Sequence, residues 1–212
     1  MKFVLMVLSR LKICKSQMSE PKTFNLIISG IGGQGVFTLT KVIWSLCDTY
    51  NYKCQGATFK GGAQRLGSVH SELRILFHPV HPDAFYSNQI VKGSLDLILG
   101  LEPWETLRYQ DYFNKRTRII MNTLISPLYI ERYRTEKLSD PVSEIKKISG
   151  TAICKNFSDI ALTQCGDIKM TNFVLLMESV CENFLPFKKG DVEAEFYKII
   201  NSKDNIINTT HQ

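Results

Sequence analysis

The sequence predicts an α/β protein: a Rossmann-like layered sheet flanked by helices, with a helical C-terminal part. Three observations carry that expectation. Short apolar runs ending at turn residues alternate with runs whose apolar residues recur every three or four positions. One junction, Gly30 to Gly35 (GIGGQG), has the glycine spacing of a strand-to-helix turn. Beyond Ser158 the helical period continues with no further strand pattern.

Residues 1–23 read as an N-terminal extension. The apolar run from Phe3 to Leu8 is short, Arg10 and Lys12 follow it, and no small-residue cleavage pattern comes after, so a secretory signal is not expected. Met18 opens a stretch, MSEPKTFNLIISG, that reads as a natural start. No run reaches the roughly 18 apolar residues of a membrane helix. Phe24 to Ser29 suits a buried first strand of a parallel sheet. Val36, Leu39, Val42, Ile43 and Leu46 then follow helical spacing to Thr49.

YNYKCQGATF supplies a second strand, and KGGAQRLG interrupts with small residues and polar hooks. From Ser68 to Phe77 the pattern alternates: Val69, Leu73, Ile75 and Phe77 share one face, with His70, Glu72 and Arg74 on a solvated opposite face. HPVHPD is a loop. SLDLILGL, TRIIMNT and TAICKNF read as strands, and EPWETLRYQDYF as a helix with Glu102 and Pro103 in its first turn. Ser158 is the expected N-cap of FSDIALTQCG. DIKMTNFVLLMESVCENF reads as one long buried helix with Phe173, Leu176, Met177, Val180 and Phe184 on a stripe. KGDVEAEFYKIIN forms the last helix before a fraying polar tail, 201–212. With no repeat and no low-complexity linker, residues 24–200 are expected to form a single domain.

Composition narrows the function classes. A hydrophobic content of 44% in 212 residues is enough for a core. The net charge of +6 comes from dispersed Lys and Arg that occur at most in pairs, which lacks the basic stripe of a nucleic-acid binder. Six cysteines are widely separated, with no C-x-x-C pair and no Cys/His knot, so neither a zinc site nor an iron-sulfur cluster is expected. Thiols inside apolar runs point to a reducing, cytoplasmic compartment.

The glycine turn leaves backbone amides at a helix N-terminus open to an anion. A nicotinamide-binding unit would also place an acidic residue about 20 residues on, at the end of the second strand. YNYKCQGAT has none, and Lys53 or Lys60 would suit the extra phosphate of NADP instead. In KGGAQRLGSV, Arg65 offers a planar fork for a carboxylate or phosphate and Gln64 an orienting amide. The same loop is equally a glycine-rich crossing in which Arg65 pairs with Glu102 or Glu105. His70 and Glu72 share a strand face but lack the further partners of a catalytic triad.

Taken in order, ISGIGGQGVFTLTKVI, FKGGAQRLGSVHSELRI, LDLILGLEPWETLR and IIMNT resemble the gamma-type subunit of 2-oxoacid:ferredoxin oxidoreductases, most closely the beta subunit of indolepyruvate ferredoxin oxidoreductase. GDIKMTNFVLLMES is similar to that family's G-x-x-x-x-x-N helix entry, and the resemblance runs from about Phe24 to Phe187. It implies a cytoplasmic subunit, inactive alone, that serves a thiamine diphosphate-binding catalytic subunit and, indirectly, ferredoxin. Partners of nucleic-acid or membrane type are not implied. Thiamine diphosphate, iron-sulfur clusters and CoA belong to the assembled complex. This chain has no GDG-type thiamine motif and no cluster-binding cysteine run, so it is expected to bind none of them by itself.

Carried over, the family's glycine loop is Gly30, Gly32, Gly33, Gln34 and Gly35, and its second loop is Lys60, Gly61, Gln64, Arg65, Gly67 and Ser68, with Glu102 as the local partner of Gln64 and Arg65. These are the expected ligand or interface residues. Lys60 stands where the family has histidine, Gly62 where it has methionine and Leu66 where it has glycine. A lysine ammonium is a poor proton shuttle near neutral pH. A stand-alone NADP-binding reductase and a non-catalytic interaction module derived from this family are the two alternatives.

Overall fold

The structure, a computed structural model, describes residues 23–61, 67–77, 87–127, 139–149 and 151–209, the last seven as backbone only. Its centre is β1 (Thr23–Ile31), the run TFNLIISGI, buried along its length apart from Thr23. Burial on both faces explains why this strand is apolar rather than alternating. The helix α1 (Val36–Thr49) follows, burying Val36, Leu39, Val42, Ile43 and Leu46 as their spacing predicts.

Sheet order departs from the parallel arrangement expected. β2 (Lys53–Lys60) is not the neighbour of β1. The chain turns back and β3 (Ser68–Leu76) inserts between them, antiparallel to both, with Ile31 opposite Ser68 and Lys60 opposite Val69. On the other side β1 pairs in parallel with β4 (Leu97–Gly100), followed by β5 (Arg118–Asn122) and β6 (Ala152–Lys155). The order is β2-β3-β1-β4-β5-β6, a mixed six-stranded sheet. An alternating pattern and a glycine-containing connection are what a hairpin needs, and periodicity alone does not distinguish it from a parallel crossover.

Two cores lie on opposite faces. One packs α1, α4 (Phe157–Cys165), α5 (Thr171–Cys181) and α6 (Lys189–Thr209) on Leu26, Ile28, Leu73, Ile75, Leu97, Leu99 and Ile120. The other gathers Ile27, Ile98, Ile119, Met121 and Ile145 under α2 (Pro103–Leu107) and α3 (Pro141–Ile148). Leu73 and Ile75 are fully buried against the first group, as their alternation predicts.

Several boundaries differ from expectation. The helix expected over EPWETLRYQDYF is only the short α2, followed by a 3-10 turn at Gln110–Tyr112. Asn156, not Ser158, caps α4, accepting from the Asp159 amide at 3.1 Å, so Ser158 lies inside the first turn. The long helix from Asp167 is a 3-10 turn, Ile168–Met170, and then α5, which ends before Phe184. The last helix continues to Thr209 instead of giving way to a tail at 201. The N-terminal extension through residue 22 and the HPVHPD loop lie outside the described residues.

The last helix is anchored by Phe196, fully buried with its ring 4.6 Å from that of Phe173. Phe196→Ala should therefore destabilise the protein by about 3–5 kcal/mol, the cost of emptying a buried aromatic site. Urea unfolding followed by circular dichroism measures it.

Candidate functional site

The parallel strands β1, β4, β5 and β6 end at one edge of the sheet. From β1 the chain leaves for α1 on one face, and from β4 it leaves for α2 on the other. The crevice between such divergent connections is where open α/β sheets bind ligands. Here it is a cavity of about 230 Å³ lined by Gly33, Gln34, Leu101, Asn122, Leu124, Ser158, Ile168, Lys169 and Thr171. This lining contains no carboxylate and one ammonium.

The glycine loop forms one wall. Gly35 has φ +88, in the left-handed region, and a Cβ there would sit 2.1 Å from the Asn172 side-chain nitrogen. Gly33 has φ +100 but faces open space. Gln34 folds back on its own loop: its Oε1 accepts from the Ile31 backbone amide at 2.9 Å, and its own backbone N–H donates to the Ile31 carbonyl at 3.1 Å. It shapes the turn that ends β1 at Gly30 and Ile31, and borders the cavity as it does so.

Three helices start at this crevice. α1 begins behind Gly35 and α5 at Thr171, neither with a side-chain cap, and α4 presents Ser158. Their N-terminal amides carry partial positive charge, so the crevice favours an anion. Asn122 stiffens its floor, donating to Ser158 Oγ at 2.9 Å and to the Leu101 carbonyl at 3.3 Å. Thr171 Oγ1 donates to the Ile168 carbonyl at 2.6 Å. Asn122, Ser158, Lys169, Thr171 and Asn172 were not among the expected site residues. The asparagines lie in the IIMNT and GDIKMTN segments, but only folding brings those segments to the glycine turn.

The second loop emerges beside the first. Gly32 donates to the Gly67 carbonyl at 2.9 Å, and Gly61 to the Ser68 carbonyl at 2.7 Å, closing the hairpin. Lys60 is exposed at the end of β2, at this same edge but two strands from β1. Lys53 lies at the opposite end of β2. With β3 interposed, β2 does not border the glycine turn as the second strand of a dinucleotide-binding unit does. Gln64 and Arg65 lie outside the described residues, as do Gly62 and Leu66. Ser68 is anchored: its hydroxyl donates to Glu105 Oε2 at 2.6 Å, while Arg108 pairs with Glu105 Oε1 at 3.3 Å.

Glu102, fully buried, is committed to its own backbone surroundings. Its Oε2 accepts from the Glu105 amide at 2.9 Å, capping α2, and its Oε1 accepts from the Ser126 amide at 3.3 Å. Burial pushes its carboxyl up to about 7, against the pull of those amides. His70 is not on a solvated face: its ring stacks on Phe59 at 4.8 Å, lies 4.9 Å from Tyr109, and its Nε2 is 3.8 Å from Glu72 Oε1. Burial lowers its pKa, with Glu105 opposing, and burial raises that of Glu72. Trp44, on the outer side of α1, is more than a third exposed.

Among the described residues no group of three or more His, Cys, Asp or Glu side chains could hold a metal ion. Cys154 lies on β6, Cys165 ends α4 and Cys181 ends α5, an arrangement that does not fit an iron-sulfur cluster. No helix among the described residues is long and apolar enough to cross a membrane.

Comparison with known proteins gives the class. Residues 25–209 match the family model described as pyruvate ferredoxin/flavodoxin oxidoreductase, and the chain belongs to that family. Within it the chain groups with the indolepyruvate oxidoreductase subunits IorB. It is 30% identical over 184 residues to the indolepyruvate oxidoreductase subunit IorB of Archaeoglobus fulgidus, covering 84% of this chain and 87% of that one. It is 29% identical to the IorB of Pyrococcus horikoshii, covering 73% and 75% of the two chains. The fold is similar to the gamma subunit of a keto/oxoacid ferredoxin oxidoreductase from Geobacter sulfurreducens, with TM-score 0.52, 14% identity and coverage of 81% and 83%. It is also similar to the pyruvate oxidoreductase subunit PORC of Thermotoga maritima, with TM-score 0.53, 13% identity and coverage of 84% and 93%.

Gly33→Ala should cost about 1–2 kcal/mol, backbone strain alone, and Gly35→Ala about 1–3 kcal/mol more, because Asn172 must also move. In the Gly35→Ala/Asn172→Ala double variant part of that excess should disappear, which a double-mutant cycle by urea unfolding reads. A carboxyl whose pKa is raised on folding stabilises below its unfolded value, near 4.5, and that contribution is lost as pH rises through about 7. Glu102→Gln should therefore flatten the unfolding free energy between pH 5 and 7, by at most about 1.4 kcal/mol per pH unit. Denaturant unfolding across that range measures the difference.

Proposed function

We propose that the chain is the IorB-type subunit of a cytoplasmic 2-oxoacid:ferredoxin oxidoreductase. In this reading it supports oxidative decarboxylation of an indolepyruvate- or pyruvate-type acid to an acyl-CoA on a thiamine diphosphate-containing partner chain. Electrons leave through iron-sulfur clusters to ferredoxin. The chain alone is inactive. The observation that carries the reading is the crevice where the family's glycine loop meets three helix N-termini in a lining free of carboxylates.

This chain's own part is binding and orientation. Among the described residues the cysteines are too scattered to ligate a cluster. The crevice residues do fit an anionic coenzyme: the glycine turn clears side chains from the start of α1, and Lys169 supplies an ammonium at the rim. CoA, when bound, supplies the thiol that receives the acyl group. Amides at the start of α1 would hold its phosphate oxygens, with the Ser158 hydroxyl, which accepts from Asn122 and Thr171, available as a further donor. Arg65 and Gln64 belong to the second loop of the sequence, whose Ser68 end Glu105 holds. They serve as the fork and the orienting amide for a carboxylate or phosphate. Lys60 offers this edge a point charge in place of a proton shuttle.

Anaerobic purification from the native host, mass spectrometry of what accompanies the chain, and a visible spectrum test the assembly. A larger chain carrying thiamine diphosphate and iron-sulfur absorbance is expected, and a colourless protein without such a partner would refute the reading. In the assembled enzyme, Arg65→Ala should raise the KM for CoA or the 2-oxoacid about tenfold to a hundredfold, the loss of one charge-assisted contact, with stability nearly unchanged. Steady-state kinetics with each substrate varied in turn decides which ligand the guanidinium contacts.

A further inference from the structure

We propose that Glu102 is a positioning residue for the crevice: through the Ser126 amide its carboxylate sets where the apolar wall of Leu101 and Leu124 stands against a ligand. The assignment rests on the reading above, that the crevice takes an anionic coenzyme, and adds a control on how tightly it is held. Leu101 and Leu124 both line the crevice, Leu101 buried and Leu124 about half exposed. Glu102 follows Leu101 directly after β4. It is fully buried and is not itself a lining residue.

Both halves of the wall are pinned through the backbone. The Leu101 amide donates to the Ser29 carbonyl at 2.8 Å, and the Leu101 carbonyl accepts from the Asn122 side chain at 3.3 Å. The segment after β5 is tied first at Thr123, whose amide donates to the Lys155 carbonyl at 2.9 Å. Its second tie is Ser126, whose amide donates to Glu102 Oε1 at 3.3 Å. Leu124 lies between those two ties. Glu102 therefore joins the Leu101 side of the wall to the Leu124 side. Its other oxygen is already engaged, Oε2 accepting from the Glu105 amide at 2.9 Å.

The link depends on ionisation. A carboxylate has two accepting oxygens and both are in use here, whereas protonation turns one of them into a donor. The bond released is the longer one, to Ser126, because the cap of α2 has the better geometry. Burial pushes the carboxyl up to about 7, and Glu105 of α2 also opposes its ionisation. The Glu105 carboxylate is held by Ser68 at 2.6 Å and Arg108 at 3.3 Å, and it bears in turn on His70 of β3. β1, β4 and residues 123–127 contain no charged side chain. Arg118, at the far end of β5, lies over the Phe184 ring. On α3, Lys146 and Lys147 are exposed and Glu144 pairs with Lys147. Above neutrality Ser126 is held and Leu124 is set; below it the segment is released.

NMR of the full-length chain, free of ligand, tests the link from about pH 5.5 to 8.5. The Ser126 amide and the Leu124 methyls should titrate together with the Glu102 side-chain carboxyl carbon, at one midpoint of about 7. Glu102→Gln, which keeps a single accepting oxygen, should abolish that titration and hold Leu124 at its low-pH position. A Ser126 amide and Leu124 methyls that do not titrate would overturn the assignment, as would a titration that Glu102→Gln leaves in place. If the variant fails to fold, the wild-type data still decide, because a midpoint not shared with the carboxyl carbon overturns the link. In the assembled enzyme above neutral pH, Glu102→Gln should raise the KM for CoA about fivefold, the loss of one hydrogen bond, and change kcat far less. In acid the variant and wild type should converge. Titration of Leu124 with the KM for CoA unaffected would support the link and overturn the coenzyme reading of the crevice, so the two fail separately.

Discussion

Everything at the candidate site depends on how closely α5 can approach the end of β1. β1 is buried on both faces, so its chain must leave the sheet in a tight turn whose backbone groups are satisfied locally. That turn ends at Gly35, where a left-handed φ coincides with the Asn172 side chain filling the place of a Cβ. The contact draws the start of α5 against the start of α1. With α4 completing the arrangement through the Asn122–Ser158 bond, three helix ends face one crevice. A side chain at position 35 would push α5 away and open the floor on which Ser158 and Thr171 stand.

The opposite face of the sheet is held by charge. Glu102 caps α2 and grips the segment after β5, while Glu105 ties the start of β3 and Arg108 to the same short helix. α2 is too short to be stable by propensity, so these bonds and its burial must hold it in place. His70 and Glu72 lie beside this cluster under Phe59 and Tyr109, half-buried and close to the second loop. The two loops thus have separate supports that meet at the Gly32–Gly67 hydrogen bond.

Much of this was legible in the residues. Helical spacing in VFTLTKVIWSLC marked the face of α1 that is buried, and alternation in β3 marked Leu73 and Ile75. The glycine loop was legible too, because its spacing records a steric need. Glu102 was legible as a residue at a helix start, but a hydrogen-bond partner depends on what folds beside it, so its commitment to Glu105 and Ser126 was not. Likewise, Ser158 and Asn156 both have cap chemistry, and only the backbone geometry chose Asn156.

By itself, then, the sequence determined that strands and helices alternate, that glycine must end β1, and that the apolar face of α1 and Leu73 and Ile75 of β3 turn inward. These properties are local, set by sterics and by the periods of strand and helix. Tertiary structure decided that β3 runs antiparallel between β1 and β2, which keeps β2 away from the glycine turn. It also assembled the crevice from Gly33, Asn122, Ser158 and Thr171, residues distant in the chain. Pairing order and convergence of helix ends follow from burying both sheet faces at once, a condition that no single segment contains.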